Sequence, residues 1–305
     1  MKKIFLVTND FANARLDRWF KKNICDVPQS LIEKNIRKGN IKVNHKRKKS
    51  SYKLKKNDHI FTFNINFKTD KHKKISEKYK PTKKDLLFSS RMFIENNENF
   101  VVINKPAGIS VQSGTKSKKN IIDILRTTKE FDGCSPYTVH RIDKDTTGIL
   151  IVAKNREYAQ LFTSLFRIRK IHKTYLGIVI GEIEKSKGTF KDELIYFEND
   201  KKIRSIGITH YTVLDSNNNY SLLKLNPETG KKHQLRKQLL IHGNPILGDR
   251  KYTMLENSPN KKNNLMLHAY KINFSIAGTK YNFSVEPPAA FKKTLKEKYL
   301  KNFLK

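Results

Sequence analysis

In the stretch YTVHRIDKDTTGILIVA, residues 137–153, Asp143 stands between Arg141 and Lys144 in a polar loop that also holds His140, Asp145, Thr146, Thr147 and Gly148. Two neighbouring cations favour the ionised form of a carboxylate, which suits a nucleophile or an anchor for a basic residue. The apolar run Ile149–Val152 follows at once, so the loop lies at a strand entrance and a sheet would present its charges at a surface. Three rival readings fit the same letters. A solvated β-turn is the default for Asp, Lys, Thr and Gly. A protein-kinase catalytic loop needs Asp directly after Arg, and the glycine-rich loop and DFG that accompany it are missing from the sequence. A calcium loop could begin with Asp143, Asp145 and Thr147-Gly148, but its twelfth position is Lys154 where a bidentate glutamate is required.

Separated segments carry a resemblance that decides among these readings. HRIDKDTTG resembles the HRLD-x-TSG signature of the RluA-type pseudouridine synthases, with Ile142 in the Leu position and Thr147 in the Ser position. NKPAGISV (104–111), KTYLGIVIG (173–181), LNPETGKKHQLR (225–236), HGNPILGDRKY (242–252) and LMLHAY (265–270) follow the family's order. The resemblance implies that Asp143 is the catalytic carboxylate and that Arg236 pairs with it, a role suited to a guanidinium that grips a carboxylate through two parallel hydrogen bonds. Tyr175, which strand propensity alone would count as core, would stack on the target base. Arg141 would fill the space the base leaves in the RNA, with His140 and Leu267 also at the substrate. Around Arg236 the chain departs from the family, with Lys231-Lys232 where Arg-Thr is common and Lys237-Gln238 after it. These departures bear on phosphate contacts more than on the carboxylate pairing.

Composition limits the partners. The chain has 305 residues, enough for two domains, with 63 Lys and Arg against 28 Asp and Glu, a net charge of +35. Such an excess calls for a polyanion, and nucleic acid leads over an anionic membrane because there is no long apolar run, signal-peptide core or basic amphipathic anchor. A general Lys and Asn bias accounts for part of the charge. Cys25 and Cys134 lie far apart and form no CxxC or Cys/His cluster, so neither zinc nor a disulfide is indicated, and reduced thiols in the cytoplasm are expected. Without a PCxxC signature, a nucleobase deaminase is also disfavoured.

Taken in order, residues 1–63 read as a small α/β domain. Leu16, Trp19, Phe20 and Ile24 fall on one helix face, Pro28 starts a second helix stopped at Gly39, and Ile41–Val43 and a strand from Asp58 close a sheet. RLDRWF and IRKGNIKVN resemble an S4-like RNA-binding domain, which implies RNA contacts at Lys34, Arg37, Lys38 and Lys42. Residues 1–85 hold 25 basic and 8 acidic residues, about half the net charge. Residues 64–87 read as a Lys-rich basic linker.

Residues 88–305 form the catalytic domain. Strands dominate, with Ile121–Leu125, a helix capped by Asn155, the helix after Lys232 and a C-terminal helix from Ala289 to Phe303 set to one side of the sheet. The fold expected is α+β, a mainly antiparallel pseudouridine synthase domain behind the S4-like one.

The chemistry implied breaks the C–N glycosidic bond of a flipped-out uridine, turns the uracil and joins C5 to the ribose. It needs no redox step, so neither a cofactor nor a metal is expected. The substrate expected is structured RNA, with large-subunit ribosomal RNA first and tRNA as an alternative, for a monomer with no protein partner. A catalytically silent RNA-binding or ribosome-assembly factor is the rival of a different class.

Overall fold

The computed structural model describes residues 2–8, 11–24, 27–63, 65, 82, 91–113, 119–198, 201–254 and 264–301. The chain divides into two compact units, Met1–Glu77 and Lys78–Lys305. The expected linker over 64–87 lies outside the described residues except for Ile65 and Thr82, and Cys25 lies outside them too.

In the first unit, helix α1 (Leu16–Asn23) buries Leu16, Trp19 and Phe20, and α2 (Gln29–Lys38) buries Ile32 and Ile36. Gly39, at φ 78°, ends α2, and the Asn40 N–H turns back to the Asn35 carbonyl. Strands β1 (Lys2–Leu6), β2 (Ile41–Val43) and β3 (His59–Phe63) form an antiparallel sheet in the order β1-β3-β2. Its inner face packs Ile41, Val43 and Ile60 against the helices.

The second unit is built on one sheet, which among the described residues runs β4-β5-β7-β12-β8-β11-β10-β9, with β6 on β7 and β13 on β12. The strands are β4 (Phe93–Asn96), β5 (Phe100–Lys105), β6 (Tyr137–Thr138), β7 (Thr147–Ala153), β8 (His172–Ile180), β9 (Lys187–Glu198), β10 (Lys201–Asn217), β11 (Tyr220–Pro227), β12 (Leu267–Ile276) and β13 (Thr279–Ser284). Helices α3 (Ile121–Leu125), α4 (Arg156–Arg167), α5 (Gln234–Ile241) and α6 (Ala289–Glu297) pack around it.

The apolar run of β7 is buried on both faces. Leu150 and Val152 pack with Ile121, Ile124 and Leu125 of α3, whereas Ile149, Ile151 and Ala153 pack with Phe162 of α4. Successive strand residues face opposite ways, so helices cover both sides of this part of the sheet and not the single side expected. The last helix also differs: it stops at Glu297, short of Phe303, because Tyr299 takes a left-handed backbone (φ 56°) and the Leu300 N–H folds back to the Leu295 carbonyl.

Among the described strands the pairing is antiparallel except where β7 meets β12, through His268 opposite Thr147 and Ala269 opposite Gly148. Gly148 has φ 106°, and a Cβ on it would lie 2.2 Å from the Ala269 carbonyl oxygen, so only glycine permits this approach. The catalytic-type loop 140–146 enters β7 at this crossing.

Candidate active site

The loop before β7 is held from beneath. Lys105, at the end of β5 and fully buried, donates to the carbonyls of Pro106 (2.7 Å), Ile109 (3.0 Å) and Lys144 (2.9 Å). Burial pushes its ammonium down to about 7, while Asp145 and Asp143 pull it back up, and three carbonyls match the three N–H bonds of the charged form. Gly108 adds a backbone bond to the Lys144 carbonyl. On the β7 side, the Thr147 hydroxyl lies 2.8 Å from His268 Nδ1, and His268 Nε2 lies 3.0 Å from the Val285 carbonyl. A carbonyl only accepts, so Nε2 carries the proton and Nδ1 accepts from Thr147. The Asp143 loop is thereby fastened at both ends.

Asp143 meets α5 across the pocket. Arg236 Nη1 donates to its Oδ2 at 2.9 Å, and His233 Nε2 stands 3.7 Å from its Oδ1. The guanidinium fork itself is used elsewhere: Nε and Nη2 bind the two oxygens of Asp249 at 2.6 and 2.7 Å. This corrects the expected two-bond grip on Asp143, which receives a single bond. Asp249 is buried, and its carboxyl also accepts from the backbone N–H groups of Lys251 and Tyr252. Burial raises its pKa, but Arg236 and those two amides outweigh burial and hold it below the usual range. Burial works against the Arg236 charge as well, yet the two aspartates raise its pKa well above the ordinary value. Tyr252 lies under the guanidinium, 5.0 Å from it to the ring centroid, and its hydroxyl is 2.8 Å from His233 Nδ1. With that hydroxyl donating, His233 turns an N–H toward Asp143; the opposite tautomer would set a lone pair against a carboxylate.

The local sequence explains why Arg236 points here. Gln234 and Gln238, four residues apart on one face of α5, are buried against β9 and β10. Gln234 donates to the Ile208 carbonyl and Thr209 Oγ1, and Gln238 to the carbonyls of Phe190 and Gly207 and to Asp192. Arg236, midway between them, is left facing the pocket. His233 begins the helix in a left-handed conformation, φ 54°.

Tyr175 on β8 touches the apolar clusters on both sides of the site. Burial, reinforced by Asp143, pushes its hydroxyl pKa far up, so it stays a neutral phenol. Leu267, the first residue of β12, is buried opposite Gly177 of β8. His140 accepts the Ile151 N–H at Nε2 (2.9 Å) and stacks on Phe166 (4.6 Å). Burial, with Lys173 nearby, pushes its pKa down to about 3, so the ring is neutral. Asp143, Arg236, Tyr175, Arg141, His140 and Leu267 all line one open cavity of about 1610 Å³. Its rim includes Arg167, Arg169, Lys231, Lys232, Arg250 and Lys251, which gives it strong positive charge.

A family model described as RNA pseudouridylate synthase matches residues 99–240, the span that contains Asp143, Tyr175 and Arg236. The chain is 34% identical over 306 residues to the ribosomal large subunit pseudouridine synthase C of Buchnera aphidicola subsp. Baizongia pistaciae, covering 95% of each. The chain belongs to the RNA pseudouridylate synthase family. Within it the chain is of the RluA type, and it is an isomerase. The pseudouridine synthase C of Rickettsia felis is likewise 34% identical, over 92% of this chain and 95% of that one. Among solved structures, human RNA pseudouridylate synthase domain containing 4 matches with a TM-score of 0.62 at 25% identity, covering 72% of this chain and 98% of that one.

Sequence reasoning missed four residues of this pseudouridine synthase site. Asp249, His233, Tyr252 and Lys105 all sit inside the quoted segments without a role there. A usable signal existed for Asp249, because a buried arginine needs a carboxylate partner and GDRKY supplied one. The four expected RNA-contacting residues belong to the first unit. Lys34, Arg37 and Lys38 are exposed on α2, while Lys42 is half-buried on β2 with its Nζ 5.3 Å from the centroid of the Phe63 ring.

Proposed function

We propose that this pseudouridine synthase isomerises uridines of large-subunit ribosomal RNA, working as a monomer in the cytoplasm. The observation that carries the reading is a partly exposed Asp143 carboxylate fixed by Arg236 in a basic cavity wide enough for an everted nucleotide. The names of the relatives support the substrate.

In this mechanism the uridine leaves its stack at a cost of a few kcal/mol, and Arg141 takes its place in the RNA. Tyr175 stacks on the uracil, Leu267 packs against the base, and His140 keeps the loop behind Asp143 in place. Asp143 acts on the nucleoside while the N1–C1′ bond breaks; the uracil turns within the same pocket, C5 bonds to C1′, and the C5 proton departs. Covalent addition and proton abstraction make the same demand on the site, a carboxylate oxygen open to substrate and held still. The S4-like first unit, with Lys34, Arg37, Lys38 and Lys42, supplies phosphate contacts and residence on the RNA.

The test is a map of pseudouridine in total RNA from cells with and without the protein, joined to the Asp143→Asn variant on transcribed ribosomal RNA. Site-specific loss in large-subunit RNA, and an inert variant, are expected. Wild-type modification by Asp143→Asn would remove the mechanism, and losses confined to tRNA would move the substrate.

A further inference from the structure

The first unit has a sheet face that neither helix covers. Strand alternation sends Phe5, Ile41, Val43 and Ile60 into the core, so Lys2, Ile4 and Leu6 of β1, His59, Phe61 and Phe63 of β3, and Lys42 of β2 share the outer face. Ile4 and Leu6 are each 54% exposed, a poor arrangement for a face that meets only water. Two cations rest on its rings: Lys2 Nζ lies 5.3 Å from the Phe61 ring centroid and 5.8 Å from that of Phe63, and Lys42 Nζ lies 5.3 Å from Phe63. None of these outward side chains is acidic. Asp58, just before β3, is buried and accepts from Asn44 Nδ2 and the Lys55 N–H.

One further residue is brought to this face at a conformational cost. Val43 and Lys46 exchange both backbone hydrogen bonds around Asn44 and His45, which have φ 49° and 64°. Two consecutive left-handed residues make the tight hairpin turn for which Asn-Gly is preferred. Here His45 takes the glycine place, and its exposed imidazole lies against the Phe61 ring, centroids 3.8 Å apart and planes inclined by 34°. A side chain held where glycine is cheaper points to a use for the side chain.

We propose that this outer face is a stacking surface for unpaired RNA nucleotides, separate from the exposed cations of α2. Aromatic rings interleaved with lysines bind single strands by stacking bases and neutralising the backbone. A base stacked on Phe63 or His45 gains more than the exposed cation–ring contact it displaces, and the freed Lys2 and Lys42 reach the flanking phosphates. Ile4 and Leu6 extend the apolar floor. The inference rests on RNA as the substrate, but it is read from binding without turnover, so the two stand or fall separately.

The experiment titrates the full chain against a fluorescein-labelled, unstructured oligoribonucleotide of about 12 nucleotides, following anisotropy across a salt series. Phe63→Ala and His45→Gly are expected to weaken binding about tenfold each with the salt slope unchanged, whereas Lys2→Gln lowers the slope. His45→Gly also raises the melting temperature, since glycine suits the turn, so weaker binding cannot be blamed on a damaged fold. Wild-type affinity in both Phe63→Ala and His45→Gly overturns the proposal. So does tighter binding of wild type to anionic phosphatidylglycerol vesicles than to the oligonucleotide, lost in the same variants.

Discussion

Asp143 owes its placement to a residue it does not touch. Arg236 spends its fork on Asp249 and offers the Asp143 carboxylate one N–H, so the orientation of the guanidinium is decided before substrate arrives. Replacing Asp249 with Asn leaves a largely buried arginine charge half-paired, which costs about 3–5 kcal/mol. Urea denaturation should show that loss, and kcat should fall further than KM rises because the carboxylate has lost its fixed partner. A second prediction concerns acid. Burial pushes His268 down to about 4 in the folded chain, whereas an unfolded histidine titrates near 6.5. The unfolded state therefore binds the proton first as pH falls, so this contribution to stability is complete above pH 6.5 and drains away toward pH 4. By pH 5 the share of His268 should be about 2 kcal/mol in denaturant midpoints, with His140 and His233, also pushed down by burial, adding loss in the same direction, so His268→Gln should make that dependence shallower without abolishing it. Asp249 and Asp17, both held low, act only in the carboxylate range below these values. The sequence disclosed the acid and the arginine because their spacing lies inside short segments. It did not disclose that one arginine serves two acids, since that choice depends on which carboxylate is sealed from water.

At the level of helices and strands, apolar spacing was a good guide where burial is carried by hydrocarbon. The run 149–152 became a strand, Asn155 accepts the Tyr158 N–H as the cap of α4, and Gly39 closes α2. Polar anchoring was less visible. Gln234 and Gln238 look like solvent-facing residues in a helix, yet both are buried and pin α5 to β9 and β10. Gln238→Leu should cost about 2–4 kcal/mol, since the carbonyls of Phe190 and Gly207 and the Thr209 hydroxyl lose their partner inside the protein. Equilibrium unfolding measures this, and a parallel drop in turnover is expected because Arg236 rides on the same helix. The expectation that helices lie to one side of the sheet failed for a related reason. An uninterrupted apolar strand such as β7 reports burial on both faces but not which helix supplies each cover.

For the whole molecule, charge and topology set the working conditions. A net charge of +35 implies an affinity for RNA that falls steeply with salt. Between 50 and 200 mM salt the dissociation constant for a ribosomal RNA fragment should rise about a hundredfold or more, as filter binding would record. Reversing the charges of Lys34, Arg37 and Lys38 should flatten that curve if α2 lies on the RNA. No helix among the described residues is long and apolar enough to cross a membrane.

The two-residue parallel junction of β7 with β12 has a consequence for heat. Asp143 belongs to one bank of that narrow joint, while Tyr175 and Leu267 belong to the other. Parting the joint by an ångström would misalign the reacting groups and leave nearly all of the ordered backbone intact. Catalysis should therefore disappear on warming several degrees below the loss of circular dichroism, and recover promptly on cooling.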